Sequence, residues 1–280
     1  MSGPVAGFIG LGQIGAPMAT RLVGWPGGLV VFDVVAEATA PFAEQGAVVA
    51  DDVAAVGAAC DVIEVMVRDD AQVRDVVGQL LTTAKAGTVI AVHSTIRAET
   101  AEELAVTAAE RGVDLLDVPV SGGFMGAHEG TLAAMVGGDP EAVERATPVF
   151  ERWAKLIVHM GPVGAGTRTK LARNMMHFVA YTAAGEAQRL AEAAGLDLQK
   201  LAQVVRHSDA VTGGPGAIMV RTTAGPMAED DGLFSIFSHT RELGEKDMDL
   251  ALELAEAYGL DLPLAKQARQ DFGPSLGLPR

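Results

Sequence analysis

Disulfide pairs, long apolar runs and a surplus of positive charge are all missing from this sequence of 280 residues. Its single cysteine, Cys60, cannot form an intramolecular disulfide, which suits a reducing cytoplasm. We expect this thiol to be a small buried side chain. No apolar run reaches the roughly 20 residues that a membrane span needs, and the first residues lack the basic start of a signal peptide. A cytoplasmic protein with no membrane partner is therefore expected.

The shortage of positive charge also limits the partners. The chain has 36 Asp and Glu residues against 21 Lys and Arg residues, which gives a net charge of −15. Such a charge repels nucleic-acid phosphates, so no nucleic-acid partner is expected. A small anionic substrate is still allowed, because a few local cations can override the overall field. His177, His207 and His239 have no partners at metal-ligand spacing, so no metal site is expected.

Strands and helices alternate in the first part of the chain. Short β-branched runs, which are typical of buried strands, occur as VAGFIG, LVVFDV, DVIEVMV, GTVIAVHS, DLLDVPV, TLAAMVGG and KLIVHMG. Helical stretches lie between several of them, at 16–23, 36–45, 70–81 and 98–111. This spacing predicts βαβ units, and hence an α/β fold with a Rossmann-type, doubly wound parallel sheet.

The pattern changes in the second part of the chain, where helical periodicity continues with almost no strand signal. It predicts a long helix over about 166–194, another helix with Asp197 as its N-cap, and a third helix over 237–259. We therefore expect two domains. A dinucleotide-binding domain occupies 1–163, and an all-helical substrate and dimerisation domain, beginning with the long joining helix, occupies 164–280.

A glycine-rich turn follows the first predicted strand. It has the pattern G-x-G-x-x-G and comprises Gly10, Leu11, Gly12, Gln13, Ile14 and Gly15. Because it lies between a strand and a helix, the pattern indicates a dinucleotide site. Gly10 permits a tight turn, Gly12 lets the backbone approach a pyrophosphate, and Gly15 lets the helix pack closely on the strand. The helix N-terminus then offers free N–H groups to the anion.

The second predicted strand ends in Asp33, near the offset at which a ribose-binding carboxylate is expected. An acid at this place accepts hydrogen bonds from the ribose hydroxyls and repels a 2′-phosphate. Val34 and Val35 follow, where an NADP site would more often have Arg or Ser. We therefore expect NAD as the cofactor, with NADP as the less favoured alternative.

Further cofactor contacts are expected beyond the carboxyl ends of the next strands, since ligands bind there in open α/β sheets. Met66 and Val67 follow one of these strands, and Thr95 follows another. Thr95 could contact the nicotinamide end of a cofactor or cap the helix that follows, and the two roles can coexist.

Two later segments carry candidate substrate residues. In DVPVSGG, the small residues Ser121, Gly122 and Gly123 leave backbone N–H groups free to converge on a carboxylate. In GAGTRTKLARN, Lys170 and Asn174 lie one helical turn apart on the same stripe. A lysine whose pKa is lowered can move a hydroxyl proton, and an asparagine can hold a substrate without adding charge.

These segments resemble, in order, the motifs of the β-hydroxyacid dehydrogenases, the family of 3-hydroxyisobutyrate dehydrogenase. The matching segments, which together cover nearly the whole chain, are GFIGLGQIGAPMA, DVPVSGGFMGAHEGTL, GPVGAGTRTKLARN and KDMDLAL. The resemblance implies a Rossmann domain joined by a long helix to a helical domain, through which members form homodimers or homotetramers. It also implies reversible, NAD(P)-dependent oxidation of a small β-hydroxyacid to its semialdehyde.

The resemblance assigns roles to individual residues as well. It implies that Lys170 is the catalytic acid–base group and that Asn174 helps to hold the substrate. The loop 121–123 would grip the substrate carboxylate. The implied contacts of the cofactor are Met66, Val67, Thr95 and Lys246. Two positions depart from the family's pattern, because Arg68 stands where proline is common and His93 stands where aspartate is usual. Both departures leave the cofactor pose and the substrate preference open.

Three alternatives stay open beside a dehydrogenase. An imine reductase shares this architecture but usually has another residue in place of the lysine. A phosphogluconate dehydrogenase shares Lys170 and Asn174, but it has a much larger helical domain. A non-catalytic nucleotide-binding module of the same fold would be indicated by loss of Lys170, which is present. The sequence thus favours a dehydrogenase and leaves its hydroxy acid unassigned.

Overall fold

The computed structural model describes residues 3–279. They form two compact units, of which the first ends at Arg173 and the second begins at Asn174. This division falls inside a helix of 29 residues, Ala165–Ala193, which contributes to both units. The helix begins within one residue of its predicted start.

The first unit is built on a nine-stranded sheet. In chain order its strands are β1 (Ala6–Ile9), β2 (Leu29–Phe32), β3 (Val48–Val49), β4 (Val62–Val65), β5 (Val89–Val92), β6 (Asp114–Asp117), β7 (Val120–Ser121), β8 (Leu132–Gly137) and β9 (Ala154–Gly161). All of the predicted strands are present. Strands β3 and β7 were not predicted, because they have two residues each and are too short to show a pattern.

Helices connect most of these strands. Those that begin in the first unit are α1 (Gly15–Thr20), α2 (Ala36–Glu44), α3 (Val53–Ala59), α4 (Asp70–Leu80), α5 (Ala98–Ala109), α6 (Gly123–Glu129), α7 (Pro140–Phe150) and α8 (Ala165–Ala193). Asp52, Asp69 and Asp139 begin α3, α4 and α7, because each carboxylate accepts a hydrogen bond from a backbone N–H of the first turn. The sequence analysis missed α3, α6 and α7.

The strand order is β3-β2-β1-β4-β5-β6-β8-β7, and β9 pairs with β8. The pairs from β3 to β6 are all parallel, whereas β8 is antiparallel to β6 and β7. This order is that of a doubly wound sheet, which confirms the predicted fold class. It also places a reversal of strand order between β1 and β4.

Both faces of the sheet are buried under helices. On β5, Val89 and Ala91 belong to one core cluster, and Ile90 and Val92 belong to the other. Strands buried on both faces have continuous apolar runs of this kind. Cys60 lies in the second cluster, where burial raises the pKa of its thiol to about 12. The expectation of a small buried cysteine side chain is confirmed.

The second unit is helical, as predicted. After α8 it contains α9 (Leu198–Thr212), a 3₁₀ turn at Gly214–Gly216, α10 (Phe234–Ala257) and α11 (Pro263–Ser275). Asp197 caps α9 by accepting hydrogen bonds from the N–H groups of Gln199 and Lys200, which confirms that prediction. Helix α11 was not predicted. Its first turn is held by the buried Glu186, whose carboxylate accepts hydrogen bonds from two of its backbone N–H groups.

Within residues 3–279, no helix has both the length and the apolar character needed to cross a bilayer.

Candidate active site

The glycine-rich turn lies at the carboxyl end of β1, where the strand order reverses and doubly wound sheets bind ligands. Gly10 has a φ of +96°, and a Cβ there would lie 2.2 Å from the carbonyl oxygen of Met66. A Cβ on Gly15 would lie 1.9 Å from the Gly10 carbonyl oxygen. A Cβ on Gly12, in contrast, would meet no atom within 4 Å. The first and third glycines thus permit close packing, and the second leaves the backbone open to a ligand.

A cavity of about 450 Å³ opens beside this turn. Gly10 and Gly12 line it on one side, together with Met66 and Val67 from the loop after β4. Its acidic lining residues are Asp33, Asp52 and Asp75. No Lys or Arg side chain of the described residues lines it. A cavity with carboxylates and no cation suits a sugar with free hydroxyls better than a sugar phosphate.

Asp33 is held at the rim of this cavity by the backbone. One carboxylate oxygen accepts a hydrogen bond from the N–H of Leu11 at 2.6 Å, and the other accepts one from the N–H of Val35 at 2.8 Å. The side chain is therefore fixed beside the glycine-rich turn, and each oxygen keeps a lone pair for a further donor. Val34, next along the chain, lines the same cavity and is 90% exposed.

A second cavity, of about 330 Å³, contains the predicted catalytic lysine. Met66 and Val67 line this cavity as well as the first, so the two are adjacent. Ile14 and Gly123 also line it, and its polar lining residues are Arg68, His93, Ser94, Thr95 and Lys170. Of these two adjacent cavities, one has Asp33 in its lining and the other has Lys170.

Ser94 ties two loops of the second cavity together. Its hydroxyl accepts a hydrogen bond from the N–H of Val67 at 3.0 Å and donates one to the Val67 carbonyl oxygen at 2.6 Å. Thr95 is exposed and lines the cavity. The N-cap of α5 is Arg97, so the alternative role of Thr95 as a helix cap is wrong. The helix itself begins at Ala98, the predicted residue.

Lys170 lies in the second turn of α8, whose start is held by the buried Asp117. The Asp117 carboxylate accepts hydrogen bonds from the N–H groups of Gly164 at 2.7 Å and Thr167 at 2.6 Å. Gly166 packs against the same place, since a Cβ there would lie 2.5 Å from the Asp117 carbonyl oxygen. The helix that carries Lys170 is thus fixed to the end of β6.

The ammonium of Lys170 faces the substrate loop. Its Nζ donates a hydrogen bond to the carbonyl oxygen of Val120 at 2.5 Å. Burial lowers the pKa of Lys170, and the nearby Arg173 guanidinium lowers it further. Both effects make this lysine a better proton acceptor near neutral pH than an exposed lysine.

The predicted carboxylate loop follows β7 directly. Gly122 and Gly123 have φ values of +130° and +64°, a backbone conformation that favours glycine, and both are exposed. Gly123 lines the second cavity and begins α6. Ser121 and Gly122 lie between Val120 and Gly123, which both line that cavity. The loop and Lys170 are therefore brought together.

His93, which lines the second cavity, and Glu64 form a buried polar cluster. His93 Nδ1 lies 2.9 Å from the Val118 carbonyl oxygen, and Glu64 Oε1 accepts a hydrogen bond from Trp153 Nε1 at 2.8 Å. Burial raises the pKa of Glu64 to about 8 and lowers that of His93 to about 4. The 3.8 Å between Glu64 Oε1 and His93 Nε2 is within ion-pair range, but both groups are neutral at pH 7. The residue that stands where the resemblance leads one to expect an aspartate is therefore a neutral histidine, His93.

Four further predicted residues are not among the lining residues of either cavity. Leu11 is buried and Gln13 is exposed. Asn174 follows Lys170 by one turn of α8 and begins the second unit. Lys246, on α10 of the second unit, has its Nζ 2.6 Å from the carboxylate of Asp247. These positions alone do not connect the four side chains to the two cavities.

Sequence reasoning did not find the roles of Asp117 and Ser94. Asp117 ends the apolar strand β6, so its one sequence signal is an acid in a buried strand, which needs a partner. Ser94 directly precedes Thr95, and no local pattern distinguishes it from other serines. Its bonds to Val67 join residues 27 apart in the chain, and no local pattern contains that information.

Comparison with known proteins agrees with this geometry. Residues 5–161 match the family model for the NAD-binding domain of 6-phosphogluconate dehydrogenase. Residues 164–273 match the family model described as NAD-binding of NADP-dependent 3-hydroxyisobutyrate dehydrogenase. Both models describe nicotinamide-dinucleotide enzymes, and together they cover most of the chain.

Individual proteins are similar along nearly their whole length. A crystal structure of a protein from Mycobacterium avium 104 has a TM-score of 0.95 and 56% identity, covering 99% of this chain and 100% of that one. The NAD-dependent L-serine dehydrogenase of Pseudomonas aeruginosa is 36% identical over 93% of this chain and 88% of its own. The 2-(hydroxymethyl)glutarate dehydrogenase of Eubacterium barkeri is 33% identical over 98% of this chain and 90% of its own.

Proposed function

The chain belongs to the β-hydroxyacid dehydrogenase family, the family of 3-hydroxyisobutyrate dehydrogenase, and from this premise we propose that it oxidises a small β-hydroxyacid to the semialdehyde, reversibly and with NAD. The observation that carries the proposal is the position of Lys170. Its ammonium lies beside the loop 121–123, in a cavity that adjoins the glycine-rich turn.

The substrate class follows from chemistry that the named relatives share. By their names these proteins act on 3-hydroxyisobutyrate, L-serine and 2-(hydroxymethyl)glutarate. All three molecules contain a CH₂OH group on a carbon that also carries a carboxylate, and they differ in the remaining substituent of that carbon. We propose the same core, HOCH₂–CH(R)–COO⁻, for the substrate of this protein.

The loop 121–123 and Lys170 act on different groups of that core. The Ser121 hydroxyl and the N–H groups of Gly122 and Gly123 bind the carboxylate, which orients the CH₂OH group. When bound, the nicotinamide dinucleotide accepts the hydride from that carbon. Lys170 takes the hydroxyl proton in the oxidative direction and returns it in the reductive direction. Because burial lowers its pKa, the neutral amine forms at a lower pH than in an exposed lysine.

Residues 10–15 hold the pyrophosphate, Asp33 binds the adenosine ribose, and Met66, Val67 and Thr95 contact the nicotinamide half. The acidic rim of the first cavity supports NAD over NADP, since a 2′-phosphate there would meet carboxylates and no cation of the described lining. In the second unit, Asn174 supports the substrate and Lys246 reaches the cofactor.

Replacement of Lys170 by methionine tests the mechanism. We expect kcat to fall by roughly 100- to 10,000-fold, while NAD still quenches or shifts the protein fluorescence at the same concentration. Lys155→Met, which removes an exposed lysine of β9, is the matched control and should keep kcat. A Lys170→Met variant within threefold of wild-type kcat would contradict the assignment.

Replacement of Asp33 by serine tests the cofactor. The wild type should turn over with NAD at least tenfold better than with NADP, as measured by kcat/KM at 340 nm. Asp33→Ser should narrow or reverse that ratio, because the repulsion of a 2′-phosphate is removed. Equal use of both cofactors by the wild type would overturn the preference for NAD.

We also propose that the protein is a homodimer or homotetramer assembled through its helical unit. Large apolar side chains are exposed along three of its helices. They include Met175, Phe178 and Val179 on α8, Val204 and Val211 on α9, and Ile236 and Leu250 on α10. Exposed apolar area of this extent is typical of an interface. Light scattering after gel filtration measures the mass, and a monomer at micromolar concentration would contradict the proposal.

A further inference from the structure

The second cavity has a cation that the reaction itself does not need. Arg68 lines it together with Lys170, and no carboxylate of the described residues does so. In a protein with a net charge of −15, two cations in one small cavity form a local anion site. Lys170 has a role at the reacting hydroxyl. Arg68 is left for some other negative group.

The backbone of Arg68 is fixed while most of its guanidinium is free. Its N–H donates to the side-chain oxygen of Gln72 at 3.0 Å. Its Nε donates to one carboxylate oxygen of Asp69 at 3.2 Å. Among residues 3–279, no partner is found for the two terminal nitrogens, and the side chain is 80% exposed.

Asp69 forms an ion pair with this guanidinium through Nε alone. Its other carboxylate oxygen accepts a hydrogen bond from the N–H of Gln72 at 3.0 Å, which caps α4. Asp69 therefore stays at the helix start and holds Arg68 from one side. The terminal nitrogens present the planar, two-donor edge that binds a carboxylate in a bidentate way.

We propose that Arg68 determines specificity by binding a second anionic group on the substituent R of the substrate, so that the preferred substrate is a dianion, HOCH₂–CH(R)–COO⁻ with R ending in a carboxylate. This inference rests on the proposed function, because it concerns R in the core defined there. The loop 121–123 takes the shared carboxylate, Lys170 takes the hydroxyl, and Arg68 takes the end of R. An R that carries an ammonium, as in L-serine, is disfavoured by the same charge.

Three hydroxy acids that differ only in R test the inference. 2-(Hydroxymethyl)glutarate has R ending in a carboxylate, 2-(hydroxymethyl)pentanoate has an uncharged R of the same length, and L-serine has an ammonium. We expect the wild type to prefer 2-(hydroxymethyl)glutarate. The measured quantity is the substrate ratio, kcat/KM for the diacid divided by kcat/KM for the pentanoate. Arg68→Met should lower this ratio by roughly 30-fold. In Arg68→Lys the substrate ratio should lie between those of the wild type and Arg68→Met, because lysine keeps the charge but lacks the bidentate edge.

Arg111→Met is the matched control. Arg111 is exposed and lies after α5 and before β6, at the amino ends of the strands and thus at the edge opposite the cavities. Arg111→Met removes one positive charge from the first unit, as Arg68→Met does, and should leave the substrate ratio at its wild-type value. An equal change in Arg111→Met would show an effect of net charge alone and overturn the inference.

Each remaining outcome also decides the matter. Equal loss with both acids in Arg68→Met, together with weaker NAD binding, would make Arg68 a cofactor contact and overturn the inference. Equal use of both acids by the wild type would overturn it as well, while leaving the proposed function intact. Turnover of none of the three acids would instead count against the proposed function, and the inference would fall with it.

Discussion

The two units of this protein differ in how much apolar surface they bury. In the first unit, β1, β4 and β5 are buried along their whole length, and helices cover both faces of the sheet. In the second unit, α9 has no buried residue. The cluster of buried apolar residues in this unit consists of Met227, Phe237, Leu276 and Leu278. The first unit completes its own core. The second leaves apolar surface that another copy of the chain would cover.

The difference in burial between the two units also bears on where reacting groups can be held rigidly. Catalytic groups need a rigid support, since small displacements cost much of the rate. Lys170, Ser94 and the loop 121–123 all belong to the well-packed unit. Lys170 in particular lies in the last residues of α8 before the second unit begins. The first unit therefore provides a rigid support for the groups to which we assign the chemistry.

The sharpest way to measure the contrast is to make one substitution in both units. Phe150, in α7, is fully buried in the core of the first unit. Phe150→Ala should lower the free energy of unfolding by about 4 kcal/mol, because it removes a ring and leaves a cavity. Urea denaturation followed by fluorescence measures this. A loss below about 1 kcal/mol would show that the core collapses around the site and is less tightly packed than its burial indicates.

A smaller and more local loss is expected at Asp117. Asp117→Asn replaces a carboxylate that accepts two backbone hydrogen bonds with an amide that has one acceptor. Stability should fall by about 2–3 kcal/mol, and kcat should fall more than in Phe150→Ala, because the start of the Lys170 helix loses its anchor.

The control for this prediction is Asp139→Asn. Asp139 also accepts two backbone hydrogen bonds, but it is an exposed helix cap, where asparagine serves equally well. Its stability and kcat should both stay near the wild-type values. If Asp117→Asn behaved like this control, Asp117 would not position the lysine.

Asp117 also shows the limit of what the sequence could predict. The strand–helix alternation, the glycine-rich turn and the ordered motifs were sufficient for the fold class, the family and the placement of Lys170 beside residues 121–123. These depend on local periodicity and on short segments of defined shape. The anchor of α8 joins residues about 50 apart, and the neutral pair of Glu64 and His93 exists only because both are buried. Contacts of this kind arise from packing and have no local signature.

The neutral pair predicts an effect of pH on the first unit. The pKa of Glu64 is about 8 in the folded protein, against an ordinary value of 4.5, so the folded state binds more protons between these values. Stability from this group is therefore lost as the pH rises from 4.5 to 8, and it is constant above 8. His93, with a pKa lowered to about 4, acts oppositely between pH 4 and 6.5 and does not titrate above that range.

Glu64→Gln isolates this effect, since glutamine keeps the shape and an acceptor for Trp153 but does not titrate. Relative to the variant, the wild type should lose about 2 kcal/mol of stability between pH 6 and 8. Urea denaturation at each pH measures the difference. Parallel stability curves for the two proteins would mean that Glu64 is ionised, with an ordinary pKa, despite its burial.

The smallest effect is expected from the counterpart of Phe150→Ala in the second unit. Phe178, on α8, is 58% exposed, so Phe178→Ala should change the stability of the dilute, dissociated chain by less than about 0.5 kcal/mol. In an assembly through this face, the ring becomes buried and its loss becomes costly. The destabilisation measured by thermal unfolding should then grow with protein concentration, because association stabilises the folded state by mass action. A concentration-independent effect, with wild-type mass in light scattering, would place the interface on another face and leave Phe178 as ordinary surface.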